Sequence, residues 1–76
     1  MVDGFLLINV KRDSPSSLYR HLANFTGITT IAPLYGEYDL IIQLTADTYD
    51  TLGNLVLSIQ DHDSIENAKF LPSLAE

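Results

Sequence analysis

Cysteine is absent from the 76 residues of this sequence. A disulfide framework, a thiol nucleophile and a cysteine-based metal site are therefore excluded. Basic residues are scarce as well: four Lys and Arg stand against ten Asp and Glu, and the net charge is −6. A surface with so few cations binds phosphate poorly, so direct contact with nucleic acid is not expected.

Long apolar runs are also missing. No stretch approaches the roughly 20 residues that cross a membrane as a helix. The apolar segment 2–10 lacks the basic leader and the cleavage site of a secretory signal. The acidic charge also disfavours binding to an anionic membrane surface. We therefore expect a cytoplasmic protein without membrane contact.

Apolar residues, in contrast, make up 46% of the chain. A chain of this length forms a single domain, 1–76, near the lower size limit for a self-sufficient core. Without a disulfide or a metal to support it, such a domain often completes its core by oligomerising. The composition therefore favours an assembly of several copies.

The apolar pattern predicts four strands and two helices. Side chains alternate between faces in the strands, and apolar residues recur every three to four positions in the helices. Gly53, inside the second helix, predicts a close approach of helix and sheet. The predicted strands are 4–11, 28–35, 40–45 and 65–71. The first predicted helix begins at Ser14-Pro15 and ends at the glycine stop, Gly27. The second begins at a cap, Asp47, and ends at the polar loop that starts at Asp61.

The order strand, helix, strand, strand, helix, strand predicts an α+β fold. Right-handed crossovers place the first and third strands side by side in the middle of the sheet. The result is a ferredoxin-like βαββαβ sandwich, a four-stranded antiparallel sheet with both helices on one face. Pro33 and Pro72 fall on the second and fourth strands. Proline lacks an N–H for the ladder, so both strands are predicted to lie at the sheet edges.

One face of this sheet has no helix to cover it. That face carries either Phe5, Leu7 and Ile41 or the residues that alternate with them, and both sets are apolar. An exposed apolar face of this size is unusual in a monomer. We therefore predict a homodimer formed sheet to sheet.

The sequence contains no recognisable catalytic signature. His21 and His62 stand in no nucleophile–base motif, and there is no glycine-rich phosphate loop. The consecutive side chains of Asp61-His62-Asp63 diverge, so this segment is interpreted as a loop and not as a metal site. No catalytic residue, metal or cofactor is predicted. A dimeric monooxygenase of the same shape stays open, because such sites need few polar residues.

The segment Tyr35-Gly36-Glu37-Tyr38-Asp39 separates the second and third strands. Gly36 suits a tight turn because it has no Cβ to clash at positive φ. One interpretation is a hairpin with aromatic residues at an interface. The other is a pocket for a small zwitterion, in which Asp39 pairs with an ammonium group, turn N–H groups bind a carboxylate and a tyrosine forms a wall.

These elements, and the Gly-x-Tyr-Asp turn before the apolar strand Leu40-Ile41-Ile42, resemble the effector-binding (RAM) domain of the Lrp/AsnC family. The resemblance implies the ferredoxin-like fold, dimers joined through their sheets, and rings of dimers, commonly octamers. It also implies an amino-acid effector bound between dimers. The site residues that it implies are Tyr35, Gly36, Tyr38 and Asp39, with Asn67 and Ala68 from a neighbouring subunit.

The sequence departs from the family pattern in three ways. The first strand begins near Gly4 without a preceding helix-turn-helix, so direct DNA binding is not implied. The usual Pro-Gly-Val entry to the last strand is Asp63-Ser64-Ile65, and Asn67 and Ala68 replace hydroxyl-bearing residues. The expected function is a stand-alone amino-acid-sensing module that can join full-length regulators of the family. A small dimeric enzyme and a purely structural oligomerisation module are the alternatives.

Overall fold

The computed structural model describes residues 1–11 and 15–72. The predicted cap at Ser14 and the segment 73–76 lie outside them. The elements follow the predicted order strand, helix, strand, strand, helix, strand. They are β1 (Val2–Val10), α1 (Pro15–Leu22), β2 (Ile28–Pro33), β3 (Leu40–Ala46), α2 (Tyr49–Gln60) and β4 (Ile65–Pro72).

The sheet has the strand order β2-β3-β1-β4, and every neighbouring pair is antiparallel. The prediction of a ferredoxin-like α+β fold with β1 and β3 in the centre is therefore confirmed. Pro33 and Pro72 lie on the two edge strands, as predicted. An edge strand pairs on one side only, so the N–H that each proline lacks is not needed there.

The core lies between the helices and one face of the sheet. Alternate residues of the central strands point into it, because side chains of a strand alternate between faces. Burial of one such leucine contributes on the order of 2 kcal/mol. The core residues from the strands are Leu6, Ile8, Leu40, Ile42 and Leu44, and those from the helices are Leu18, Leu22, Leu52, Val56 and Ile59.

The start of α2 differs from the prediction. Thr48, and not Asp47, is the N-cap: its Oγ1 accepts a hydrogen bond from the Thr51 N–H at 3.2 Å. Thr48 has the extended backbone, φ −137° and ψ 163°, that a cap residue adopts.

Among the described residues, no helix is both long and apolar enough to cross a membrane.

The glycine prediction was also wrong. A Cβ at Gly53 would meet no atom within 4 Å, so α2 does not approach the sheet there. Close approaches are found instead at Gly4, where a Cβ would lie 2.6 Å from Cε1 of Phe70, and at Gly27, where a Cβ would lie 2.5 Å from Cδ2 of Leu55 on α2. Gly4 belongs to β1 on the core side of the sheet, and Phe70 packs against it from β4. Close packing therefore explains Gly4 and not Gly53.

The face without helices carries Phe5, Leu7 and Ile41. They alternate with the fully buried Leu6 and Ile42, and each is half-buried within the single chain. The two edge strands extend this apolar surface through Ala32, which pairs with Ile41, and Leu71, which pairs with Phe5. The structure thus decides which of the two apolar sets is the uncovered one. We call this set, Phe5, Leu7, Ala32, Ile41 and Leu71, the open face.

Candidate functional site

The turn between β2 and β3 spans residues 34–39. Gly36 has a φ of +121°, in the region that residues with a Cβ avoid. The Leu34 N–H donates to the Asp39 carbonyl at 2.8 Å and closes the turn. Gly36 therefore has the conformational role that the sequence predicted.

Three hydrogen bonds tie this turn to the end of β1. The Asp39 N–H donates to the Ile8 carbonyl at 2.8 Å. The Asn9 side-chain amide donates to the Glu37 carbonyl at 2.6 Å, and the Val10 N–H donates to Oδ2 of Asp39 at 2.8 Å. Because β1 is a central strand, these bonds hold the turn in a fixed place relative to the sheet.

Asp39 therefore has a structural role before any ligand is considered. One carboxylate oxygen is held by Val10, while the other, Oδ1, has no hydrogen-bond donor among the described residues. An ionised carboxylate accepts up to about four hydrogen bonds through its two oxygens. Asp39 can anchor the turn and still accept from an ammonium group.

The tip of the turn is open to solvent. Tyr35 is fully exposed, with a relative exposure of 104%, and Tyr38 is half-buried. In the part of the chain that the structure describes, the backbone N–H groups of residues 35–38 have no acceptor. Several N–H groups in one turn can bind an anion such as a carboxylate.

An apolar cleft of about 180 Å³ lies beside Asp39, between α1 and the sheet. Of the described residues that line it, Tyr19 and Asp39 are the two with polar side chains. The cleft has room for a compact apolar side chain next to a carboxylate. The lining residues are Val10, Leu18, Tyr19, Asp39 and Leu40.

The two predicted residues on β4 lie on opposite faces of the sheet. Asn67 pairs with Asn9, on the same face as the open face, and Asn9 in turn contacts the turn. Ala68 pairs with the buried Ile8 and packs against the core from the helix side. A register shift between Asn9 and Val10 marks this position, and such irregularities commonly re-aim side chains. The contribution of Asn67 and Ala68 to a neighbouring subunit's site stays a prediction.

Asn9 and Tyr19 are part of this arrangement but were not predicted. Asn9 had a signal in the sequence, because it is a polar residue between the apolar Ile8 and Val10 in a central strand. Tyr19 had none, because only the packing of α1 over the sheet brings it to the cleft.

No protein-family model matches the sequence, and no curated protein matches it. Several solved structures, in contrast, match the fold of this chain. FFRP-DM1 superposes with a TM-score of 0.87 at 23% identity, covering 97% of this chain and 100% of that one. AsnC of E. coli superposes with a TM-score of 0.85 at 26% identity. The chain has the fold of the Lrp/AsnC regulators.

The Lrp/AsnC match extends over 99% of this chain but over 52% of AsnC, so the chain spans about half the length of that protein. A third match is a feast or famine regulatory protein of M. tuberculosis, complexed with L-methionine. It has a TM-score of 0.80 and 14% identity, and the match covers 100% of this chain and 52% of that one. The resemblance inferred from the Gly-x-Tyr-Asp turn is thereby confirmed for the fold. The M. tuberculosis neighbour is named as a regulatory protein.

Proposed function

We propose that this chain is an amino-acid-binding regulatory module, a single domain of residues 1–76, that assembles into dimers and rings and does not bind DNA itself. One observation supports this above the others. Turn N–H groups without an acceptor among the described residues, a carboxylate and an apolar cleft meet within the few residues around Asp39. These three features match the three parts of an apolar amino acid.

The recognition chemistry follows from that match. The ligand carboxylate binds the N–H groups at 35–38, and the ligand ammonium pairs with Oδ1 of Asp39. The side chain enters the cleft beside Leu18 and Tyr19. Charge-assisted hydrogen bonds of this kind are about twice as strong as neutral ones. The methionine bound to the M. tuberculosis regulator is an apolar amino acid and supports this class of ligand.

The open face supports the assembly. It presents contiguous apolar side chains from all four strands, and a second copy of the same face would remove them from water. Dimers related in this way then meet at their turns, where the fully exposed Tyr35 offers a large contact surface. We propose an octamer, a tetramer of dimers, in which a neighbour's Asn67 and Ala68 complete the site.

The acidic charge supports a partner other than DNA. With a net charge of −6, the chain would repel the phosphate backbone. The same open face and turn that join copies of this chain can join the equivalent domain of a full-length Lrp/AsnC regulator. The proposed output is therefore a change in the assembly of such regulators when the amino acid binds.

A small dimeric enzyme is the competing function, and the cleft between α1 and the sheet is the observation that favours it. Asp39 and Tyr19 are the polar residues among the described ones that line it. Asp39 is already held by the Val10 N–H. Its second oxygen, Oδ1, stays available and could act as a general base on a proton within hydrogen-bond reach, which is what the enzyme alternative requires.

Isothermal titration calorimetry against each standard amino acid tests the proposal. We expect heat with apolar amino acids such as methionine, leucine and isoleucine and none with glycine, which has no side chain for the cleft. Binding should not require a metal or a cofactor. If no amino acid gives heat, while light scattering still shows an oligomer, the chain is a structural oligomerisation module instead.

A further inference from the structure

The walls of the apolar cleft between α1 and the sheet come from three elements. Apart from Asp39, the described residues that line it are Val10 on β1, Leu18 and Tyr19 on α1, and Leu40 at the start of β3. Three of these four are aliphatic, so the cleft offers a ligand mainly hydrocarbon contacts. The walls differ in what holds each of them in place.

The three aliphatic walls belong to the packing of the domain itself. Leu18 and Leu40 are core residues with relative exposures of 1% and 6%, and Val10 packs against the same core. Truncating a buried leucine leaves a cavity and destabilises the fold. The size and position of these walls are therefore set by folding, whatever ligand the cleft receives.

Tyr19 differs from the other walls because the fold does not require its ring. Its side chain is 48% exposed and belongs neither to the described core nor to the side chains packed against it. It follows the buried Leu18 directly, so it lies about 100° further around α1, at the margin between the buried side and solvent. Its hydroxyl has no hydrogen-bond partner among the described residues. The ring is therefore available for contact with a ligand.

We propose that Tyr19 is the specificity-determining residue of this site and restricts it to amino acids with large apolar side chains. The inference rests on the proposed function. When the ligand ammonium pairs with Oδ1 of Asp39, the ligand side chain lies between the aliphatic walls and the Tyr19 ring, which shields it from solvent. Leucine and phenylalanine bury much apolar surface there, whereas the methyl group of alanine buries little.

The size and polarity of the cleft agree with this class of ligand. Its volume of about 180 Å³ is somewhat larger than the roughly 150 Å³ of an apolar cavity that binds benzene, so a branched chain or a single aromatic ring fits. A charged side chain would lose its water against three aliphatic walls. Among the described lining residues, the one ionic partner is Asp39, which the ligand ammonium already uses.

Calorimetric titration with leucine, phenylalanine and alanine tests the role of the ring. Tyr19→Ala and Tyr19→Gln remove the ring, and the glutamine keeps a long side chain that suits a helix. Tyr19→Phe removes only the hydroxyl. Tyr49→Ala is the matched control, because Tyr49 is also a helical tyrosine, is 52% exposed and lies on α2 away from the cleft. Circular dichroism and urea denaturation establish that each variant is folded.

The readout is the affinity for leucine or phenylalanine divided by the affinity for alanine. A general loss of binding at Asp39 and the turn cancels in this ratio. In the wild type, Tyr19→Phe and Tyr49→Ala, we expect leucine to bind about 50-fold more tightly than alanine, since each of three further buried carbons contributes about fourfold. Phenylalanine should show at least the same preference.

In Tyr19→Ala and Tyr19→Gln, the ratio should fall to about tenfold or less, because the ligand side chain stays in contact with water. Three results would overturn the role of Tyr19: an unchanged ratio in a folded variant without the ring, an equal loss in Tyr49→Ala, or an equal loss in Tyr19→Phe. Each of them leaves the amino-acid site standing. A wild type that gives no heat with any amino acid overturns the proposed function as well, so the two failures are distinguishable.

Discussion

The backbone N–H of Val10 donates to the Asp39 carboxylate at 2.8 Å across 29 positions of the sequence. The bond joins the last residue of β1 to the residue before β3. It fixes the carboxylate at the rim of the apolar cleft, beside the exposed N–H groups of the turn. The charge that we assign to ligand recognition is thus held by a central strand and not by the turn alone.

Replacing Asp39 with asparagine tests this assignment. The amide oxygen can still accept from Val10, but the charge that pairs with an ammonium group is gone. We expect amino-acid affinity to fall about 10- to 100-fold, since hydrogen bonds to charged groups contribute roughly 1.5–3 kcal/mol. Calorimetry with the amino acid that binds the wild type measures it. Asp50→Asn, in the first turn of α2, is the control, and an equal affinity for Asp39→Asn and wild type would remove Asp39 from the site.

Asn9 should hold the turn in place. In Asn9→Ala, the Glu37 carbonyl loses its donor, and the free energy of unfolding should fall by about 1 kcal/mol. Urea denaturation measures this change. Asn54→Ala, at an exposed position of α2, should not lower stability and should raise it by up to about 0.7 kcal/mol, because alanine is the better helix former. If both variants behave alike, the Asn9–Glu37 bond does not stabilise the turn.

A charge on the open face should break the dimer. Ile41→Glu places a carboxylate beside Leu7 and Ala32, its partners on the two neighbouring strands, where a second copy would bury it without a partner. Light scattering should then give the mass of one chain, 8.4 kDa, with an unchanged circular dichroism spectrum. Leu57→Glu, at a helix position that is 65% exposed, should leave the oligomer intact. An oligomer that survives Ile41→Glu would show that this face is not the interface.

Replacing Gly36 or Gly53 with alanine should change the stability of the protein in opposite directions. Gly36→Ala puts a Cβ on a backbone with φ of +121°, which should cost about 1–2 kcal/mol of stability. Gly53→Ala lies in α2, where the Cβ meets no atom within 4 Å. It should stabilise the protein by about 0.5–1 kcal/mol because alanine is the better helix former. Urea denaturation measures both changes in the free energy of unfolding. If the two variants change it in the same direction, the assigned role of Gly36 is contradicted.

Local patterns in the sequence were enough for most of the fold. Alternation predicted β1 and β3, and Pro33 and Pro72 indicated the edges, because each pattern follows from a property of the residue or its near neighbours. The two wrong predictions concern features that depend on the folded structure and not on the local sequence. A cap depends on the backbone angles of Thr48, and a close approach at a glycine depends on which side chain packs above it, so Asp47 and Gly53 were misjudged.

The sequence by itself determined the order of the elements and the glycine in the turn. It also determined that both faces of the central strands are apolar, although the two helices cover only one face. These follow from periodicity and composition, which every copy of the chain carries before it folds. Only the tertiary structure decided which apolar set is uncovered, that Asn9 and Val10 hold the turn, and that Leu18 and Tyr19 enclose the cleft. Those contacts join residues separated by about 20 or more positions, and their geometry exists only once the helices have packed on the sheet.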